Sequence, residues 1–263
     1  MASLSSKQKP ETLKRKQTDL FDHFNEKNSK KKSQILDKFE VLNEQAEKLA
    51  NSIAISSSKD AKIIYLTKTG ESWIVLVRGF LPSPSKEVFN EQWALHPQVY
   101  HKLKVFGKIV SERRYSQSWG YSYKYSGSVN HARSIDDSPF VQVLINTAND
   151  LVGGRPYNGC LQNWYEPEHY IGLHSDDEKR LQLGVPIFSL TWGGTRRFTF
   201  HPRSEKSDLS ISKTNEFWLH DGDLVIMGGT TQQTHKHEIP KFRITKDEKT
   251  SKRINWTIRA FLK

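Results

Sequence analysis

The residues of this chain best suited to chemistry stand at His174-Ser175-Asp176. An imidazole and a carboxylate two positions apart leave the same face of an extended segment, so both can reach one ion. Such a tripeptide is common, and its meaning depends on a third donor. His201, His220, His235 and His237 are the downstream candidates. His235 and His237 share a face if their segment is a strand, so periodicity does not choose between them.

Two other stretches carry chemical character. In Arg253-Ile254-Asn255-Trp256-Thr257-Ile258-Arg259 the odd positions share one strand face. Two inward arginines are costly to bury without partners. A small dicarboxylate would supply them through charge-assisted hydrogen bonds worth roughly 1.5–3 kcal/mol each. Lys108 to Gly127 interleaves Arg113 and Arg114 with Tyr115, Trp119, Tyr121, Tyr123 and Tyr125. Rings that stack bases and guanidinium groups that hold phosphates suit a nucleotide pocket. A β-hairpin with an aromatic face in the core fits the same composition equally well.

The elements expected to position these residues are mostly strands. Lys62 to Arg78 reads as two strands around a Lys-Thr-Gly turn, and Ser85 to Leu95 as a helix capped by Ser85. Asp136 to Asp150 reads as a helix packed over a sheet. Short β-runs follow at 161–165, 187–192, 197–201, 216–220, 223–227 and 254–261. That spacing predicts a mostly β fold, a barrel or jelly roll, with helices covering one face.

Residues 1–60 differ in composition. Met1 to Ser33 is rich in Lys, Ser, Gln and Asn, too polar to fold alone, and predicts a disordered amino-terminal tail. Apolar residues at Ile35, Phe39, Leu42, Ala46, Leu49 and Ile53 predict an amphipathic helix over 35–53, packed on the core. A folded domain is expected over 61–263. A net charge of +11 favours a polyanionic partner, and the single cysteine, Cys160, excludes an intramolecular disulfide. No apolar run approaches the roughly eighteen residues that cross a bilayer, and the amino terminus lacks a signal-peptide core, so a soluble intracellular protein is expected.

Met227-Gly228-Gly229-Thr230-Thr231-Gln232 and His237-Glu238-Ile239-Pro240-Lys241 resemble the segment that carries the distal iron histidine in the AlkB family of dioxygenases. The arginine-rich stretch is similar to that family's Arg-x-Asn-x-Thr-x-Arg motif at every defined position. The resemblance covers about residues 70–263. It selects His237 as third ligand, with His235 as a neighbour, and implies a double-stranded β-helix fold. With His174 and Asp176 this forms a two-His-one-carboxylate triad of the non-haem Fe(II) oxygenases.

The same resemblance implies that Arg253 holds the distal carboxylate of 2-oxoglutarate, that Asn255 and Arg259 help fix its other end, and that Asn163 and Tyr165 complete the contacts. It implies a nucleotide-recognition lid at about 108–130, with Tyr123, Tyr125, Ser126 and Glu178 at a flipped base. Arg113 and Arg114 are then expected on the nucleic-acid backbone. The implied activity is oxidative removal of alkyl groups from nucleobases in DNA, such as 1-methyladenine and 3-methylcytosine, using Fe(II), 2-oxoglutarate and O2. An RNA demethylase of the same family, a protein hydroxylase, or a nucleic-acid binder with an inactive iron site are the alternatives.

In the tail, Gln17, Leu20, His23 and Phe24 resemble the peptide that binds PCNA, the sliding clamp. One helical turn would place Leu20, His23 and Phe24 on one side as an apolar plug. The flanking clusters Lys14-Arg15-Lys16 and Lys30-Lys31-Lys32 resemble a bipartite signal for the nucleus.

Overall fold

The computed structural model describes residues 43–105, 107–125, 127–204, 210–241 and 251–262. The clamp-like residues Gln17, Leu20, His23 and Phe24, both basic clusters, and Ile35, Phe39 and Leu42 of the expected helix lie outside the described residues. Helix α1 occupies 43–57 and sends Ala46, Leu49 and Ile53 into the main core.

The strands and helices then run β1 (Ala61–Tyr65), β2 (Ser72–Val77), α2 (Lys86–Ala94), β3 (Lys102–Val105), β4 (Lys108–Ser111), β5 (Tyr115–Trp119), β6 (Tyr123–Tyr125), β7 (Ser128–Asn130) and β8 (Ala132–Arg133). Next come α3 (Pro139–Leu151), β9 (Gly159–Tyr165), β10 (Ile171–His174), β11 (Ile187–Gly193), β12 (Arg196–Pro202), β13 (Asn215–Leu219) and β14 (Leu224–Gly229). Helix α4 (Thr231–Thr234), β15 (His235–Ile239) and β16 (Arg253–Arg259) close the order. A large sheet runs β1-β2-β14-β11-β16-β9-β5-β8 and a smaller one β10-β15-β12-β13. The fold is therefore mostly β with flanking helices. Among the described residues no strand belongs to both sheets, so closure into a barrel is not seen.

Local signals explain several boundaries. Ser85 caps α2 by accepting the Val88 N–H. Helix α3 starts at Pro139 rather than Asp136. Ser138 caps it by accepting the Val141 N–H, Pro139 fills a first-turn position, and a short 3-10 turn takes Ile135–Asp137.

Strand β16 shows how the core and the site divide. Its even residues Ile254, Trp256 and Ile258 join the main core, together with Val141, Leu144 and Ile145 of α3. Its odd residues Arg253, Asn255, Thr257 and Arg259 line a cavity on the opposite face. A second apolar cluster packs the sheets together, with Ile74, Val225 and Met227 of the large sheet against Phe198, Phe200 and Ile239 of the small one. These two cores hold both sheets at the rim of that cavity.

Candidate active site

Strands β10 and β15 are antiparallel neighbours, and His174 pairs directly with His237. Their ring centroids lie 4.3 Å apart. One donor atom from each of His174, Asp176 and His237 lies within 4.8 Å of the other two. Past the end of β10, Ser175 and Asp177 turn away from this group. Ser175 donates its hydroxyl to the His235 carbonyl at 2.8 Å and accepts from Arg203 Nε at 3.1 Å, while Asp177 pairs with the Arg203 guanidinium.

The protonation of these groups suits a cation. His174 Nδ1 lies 2.9 Å from the Gly172 carbonyl. A carbonyl only accepts, so Nδ1 carries the hydrogen and Nε2 keeps a lone pair on the Asp176 side. Burial lowers the pKa of His174 and pushes that of His237 down to about 3, so both rings are neutral. Burial alone would raise the pKa of Asp176, but Arg259, His237 and His174 bring it down to about 2. Asp176 Oδ1 accepts from Arg259 Nη2 at 2.8 Å, and its backbone N–H donates to Gln232 Oε1 at 2.9 Å. The buried Asp176 Oδ2 and His237 Nδ1 have no hydrogen-bond partner among the described residues. Two neutral imidazoles and one carboxylate with orphaned donor atoms fit a divalent transition metal.

His235 shares the strand face of His237 yet stays outside this group. Its Nδ1 lies 2.8 Å from Thr234 Oγ1, which in turn lies 2.7 Å from Ser72 Oγ. Close packing just before it aims α4. A Cβ on Gly228 would sit 2.1 Å from the Trp73 ring, and Gly229, at φ +62°, lies where a Cβ would meet the Glu71 carbonyl. Glycine thus lets β14 turn tightly against β2, and α4 then carries Gln232 to the Asp176 backbone. Sequence reasoning missed Gln232; the only hint is its place at the end of the glycine-rich stretch.

The cavity beside the three residues measures about 300 Å³ and draws its walls from both sheets. On β16, Arg253 is buried against Tyr165, its guanidinium carbon 5.0 Å from the ring centroid. It donates Nη2 to Thr191 Oγ1 at 2.9 Å, while Nε and Nη1 have no partner among the described residues. Burial lowers its pKa, with Tyr165 opposing, which marks a cation short of counter-charge. This fits a carboxylate. Asn163 and Asn255 face one another across β9 and β16 and both line the cavity. The Asn255 amide already donates to Ser189 Oγ and the Leu190 carbonyl. Arg259, expected at the co-substrate, lines the same cavity and also pairs with Asp176, which raises its pKa against burial.

The expected lid residues separate. Tyr123 lines the cavity, with the Arg259 guanidinium 5.1 Å from its ring. Glu178 is half-buried nearby, and burial raises its pKa while Arg259 opposes. Tyr125 ends β6 opposite Ser128, and Ser126 lies outside the described residues. Arg113 is exposed at the rim. Arg114, expected on a phosphate backbone, is buried in the cavity wall, where its guanidinium pairs with Glu112 and holds Asn163. The other aromatics serve the fold: Trp119 packs in the core and donates to Gln162, and Tyr121 stacks on Phe261 at 4.1 Å.

A two-His-one-carboxylate site beside a buried, partly unpartnered arginine defines a metal-dependent enzyme of the oxygenase class. Residues 74–259 match the family model described as the 2OG-Fe(II) oxygenase superfamily. The rat alpha-ketoglutarate-dependent dioxygenase alkB homolog 3 is 34% identical over 204 residues, covering 75% of this chain and 67% of the relative. The DNA oxidative demethylase ALKBH2 of Bos taurus is 28% identical over 169 residues, covering 61% and 58%. That of Arabidopsis thaliana is 27% identical over 213 residues, covering 72% and 66%. The chain thus spans 58–67% of the length of these relatives. The chain belongs to the 2OG-Fe(II) oxygenase superfamily and, within it, to the AlkB family.

Proposed function

We propose that the protein removes alkyl groups from nucleobases in DNA by Fe(II)- and 2-oxoglutarate-dependent oxidation. The observation that carries this reading is the meeting, in one cavity, of His174, Asp176 and His237 with the partly unpartnered guanidinium of Arg253. Bound iron, with the co-acid and O2, would supply the oxidising power to hydroxylate a C–H bond of the N-alkyl group, the co-acid leaving as succinate and CO2. The chain's own residues do the rest. His174, Asp176 and His237 hold the metal, and Arg259 keeps Asp176 ionised. Arg253 takes the distal carboxylate, with Asn163, Tyr165 and Asn255 lining its shelf.

Tyr123 and Glu178 and, on the sequence resemblance, Tyr125 and Ser126 are assigned to the flipped base. The alkylated position of 1-methyladenine or 3-methylcytosine lies on the pairing edge, so the base must leave the stack, which is cheaper when damage already weakens its pairing. The hydroxymethyl product then loses formaldehyde: the hydroxyl proton leaves, the C–N bond breaks, and the ring nitrogen is restored. Arg113, exposed at the cavity rim, contacts the strand. On sequence resemblance, Gln17, Leu20, His23 and Phe24 extend the reading to a sliding clamp in the nucleus.

The test is formaldehyde release from methylated DNA and RNA oligonucleotides, with and without 2-oxoglutarate and an iron chelator. Release from DNA that needs both iron and the co-acid is expected. No release from any methylated strand overturns the reading, and release from RNA alone moves the substrate to RNA.

A further inference from the structure

A chain of buried polar groups links the β6–β7 hairpin to the shelf proposed for the co-acid. Asn130 ends β7; its Nδ2 donates to the Ser116 hydroxyl at 3.1 Å, and its Oδ1 accepts the Ser118 N–H at 3.0 Å. Ser116 passes its own hydroxyl hydrogen to Glu112 Oε2 at 2.7 Å. Glu112 Oε1 lies 3.2 Å from Arg114 Nη2, and Arg114 Nε donates to Asn163 Oδ1 at 2.8 Å. All five side chains are buried.

The last bond decides which way the Asn163 amide points. A guanidinium has only donors, so the atom facing Arg114 must be the amide oxygen. The nitrogen is then the group that Asn163 offers to an acceptor in the cavity; the Leu161 carbonyl, at 3.5 Å, is at the limit of hydrogen bonding. Without Arg114 the amide is free to turn its oxygen toward the same place, where it would repel a carboxylate.

We infer that Arg114 is a positioning residue. It holds the Asn163 amide with nitrogen toward the co-acid and, through Glu112, Ser116 and Asn130, ties co-acid binding to the hairpin that carries Tyr123. This rests on the reading of the cavity as a 2-oxoglutarate site. If the hairpin shifts when a strand binds, linkage requires each ligand to change the affinity of the other equally.

The experiment is a calorimetric titration of 2-oxoglutarate into the full chain loaded with Mn(II), without oxygen, with and without a methylated oligonucleotide. The variant Glu112→Gln/Arg114→Gln neutralises both partners, so neither leaves a lone buried charge. If it fails to fold, Glu112→Gln/Arg114→Met, which also leaves no lone charge and no donor toward Asn163, is read in its place. We expect the wild type to bind 2-oxoglutarate more tightly when the oligonucleotide is present. The variant should bind it about tenfold more weakly, as expected when one hydrogen bond to a charged group is lost, with Mn(II) affinity unchanged and no response to the oligonucleotide. Asn163→Ala should add little to that loss. Wild-type 2-oxoglutarate affinity in the variant overturns the inference, as does a parallel loss of Mn(II) or no oligonucleotide effect in the wild type. Failure of the wild type itself to bind 2-oxoglutarate overturns the co-acid site and this inference with it.

Discussion

Arg259 Nη2 donates to Asp176 Oδ1 at 2.8 Å, joining the last strand to the loop after β10 inside the cavity wall. The bond occupies one carboxylate oxygen and leaves Oδ2 without a partner among the described residues. Arg259 therefore holds the carboxylate both ionised and aimed.

Removing that guanidinium should loosen the metal without touching a ligand. Arg259→Met is expected to weaken Mn(II) binding roughly 10–100-fold, the usual effect of losing a group that orients a ligand. It should also lower stability, by as much as about 3–5 kcal/mol, because Asp176 is left a lone buried charge. Metal titration and urea unfolding measure the two effects. Unchanged Mn(II) affinity would show that Asp176 needs no such support.

Arg253 is the corresponding test at the other end of β16. Its Nε and Nη1 have no partner among the described residues, and Thr191 takes only Nη2. Arg253→Ala should raise the apparent requirement for 2-oxoglutarate by at least about tenfold, since a charge-assisted pair is lost. It should leave metal binding near the wild-type value. An unaltered 2-oxoglutarate dependence in a formaldehyde assay would remove Arg253 from the site.

Much of this arrangement was legible in the sequence because alternation on a strand is a two-residue rule. Arg253, Asn255, Thr257 and Arg259 line the cavity together, as that rule requires on β16, and Ser175, just past the end of β10, turns away between His174 and Asp176. Partner choice was not legible. Nothing local says that Arg259 meets Asp176, 83 positions away in the chain, or that Glu112 draws Arg114 into the wall. The tyrosines and tryptophan of 108–127 show the same limit. Composition leaves base-stacking and a core-facing hairpin equally open, and packing commits Trp119 to the core and Tyr121 to Phe261.

Gln232 belongs to the illegible part and carries its own prediction. Its Oε1 is the acceptor for the Asp176 backbone N–H. Gln232→Leu would leave that buried N–H unpaired, at a cost of about 1–3 kcal/mol, and free Asp176 to shift relative to His174. Lower thermal stability together with several-fold weaker Mn(II) binding is expected. A variant that melts lower but binds metal as before would confine Gln232 to the fold.

His235 and His237 occupy the same face of β15, so the choice between them tests the metal site most directly. His237 lies with His174 and Asp176, whereas His235 Nδ1 is taken up by the hydroxyls of Thr234 and, beyond it, Ser72. His237→Ala should abolish turnover and reduce Mn(II) binding to the level of His174→Ala, because two remaining ligands hold a divalent ion poorly. His235→Ala should retain the metal and lose stability, since it empties a buried, hydrogen-bonded position. Metal titration of the two variants side by side separates the roles. The opposite ranking would mean that the neighbouring imidazole, one pleat along the strand, is the true ligand.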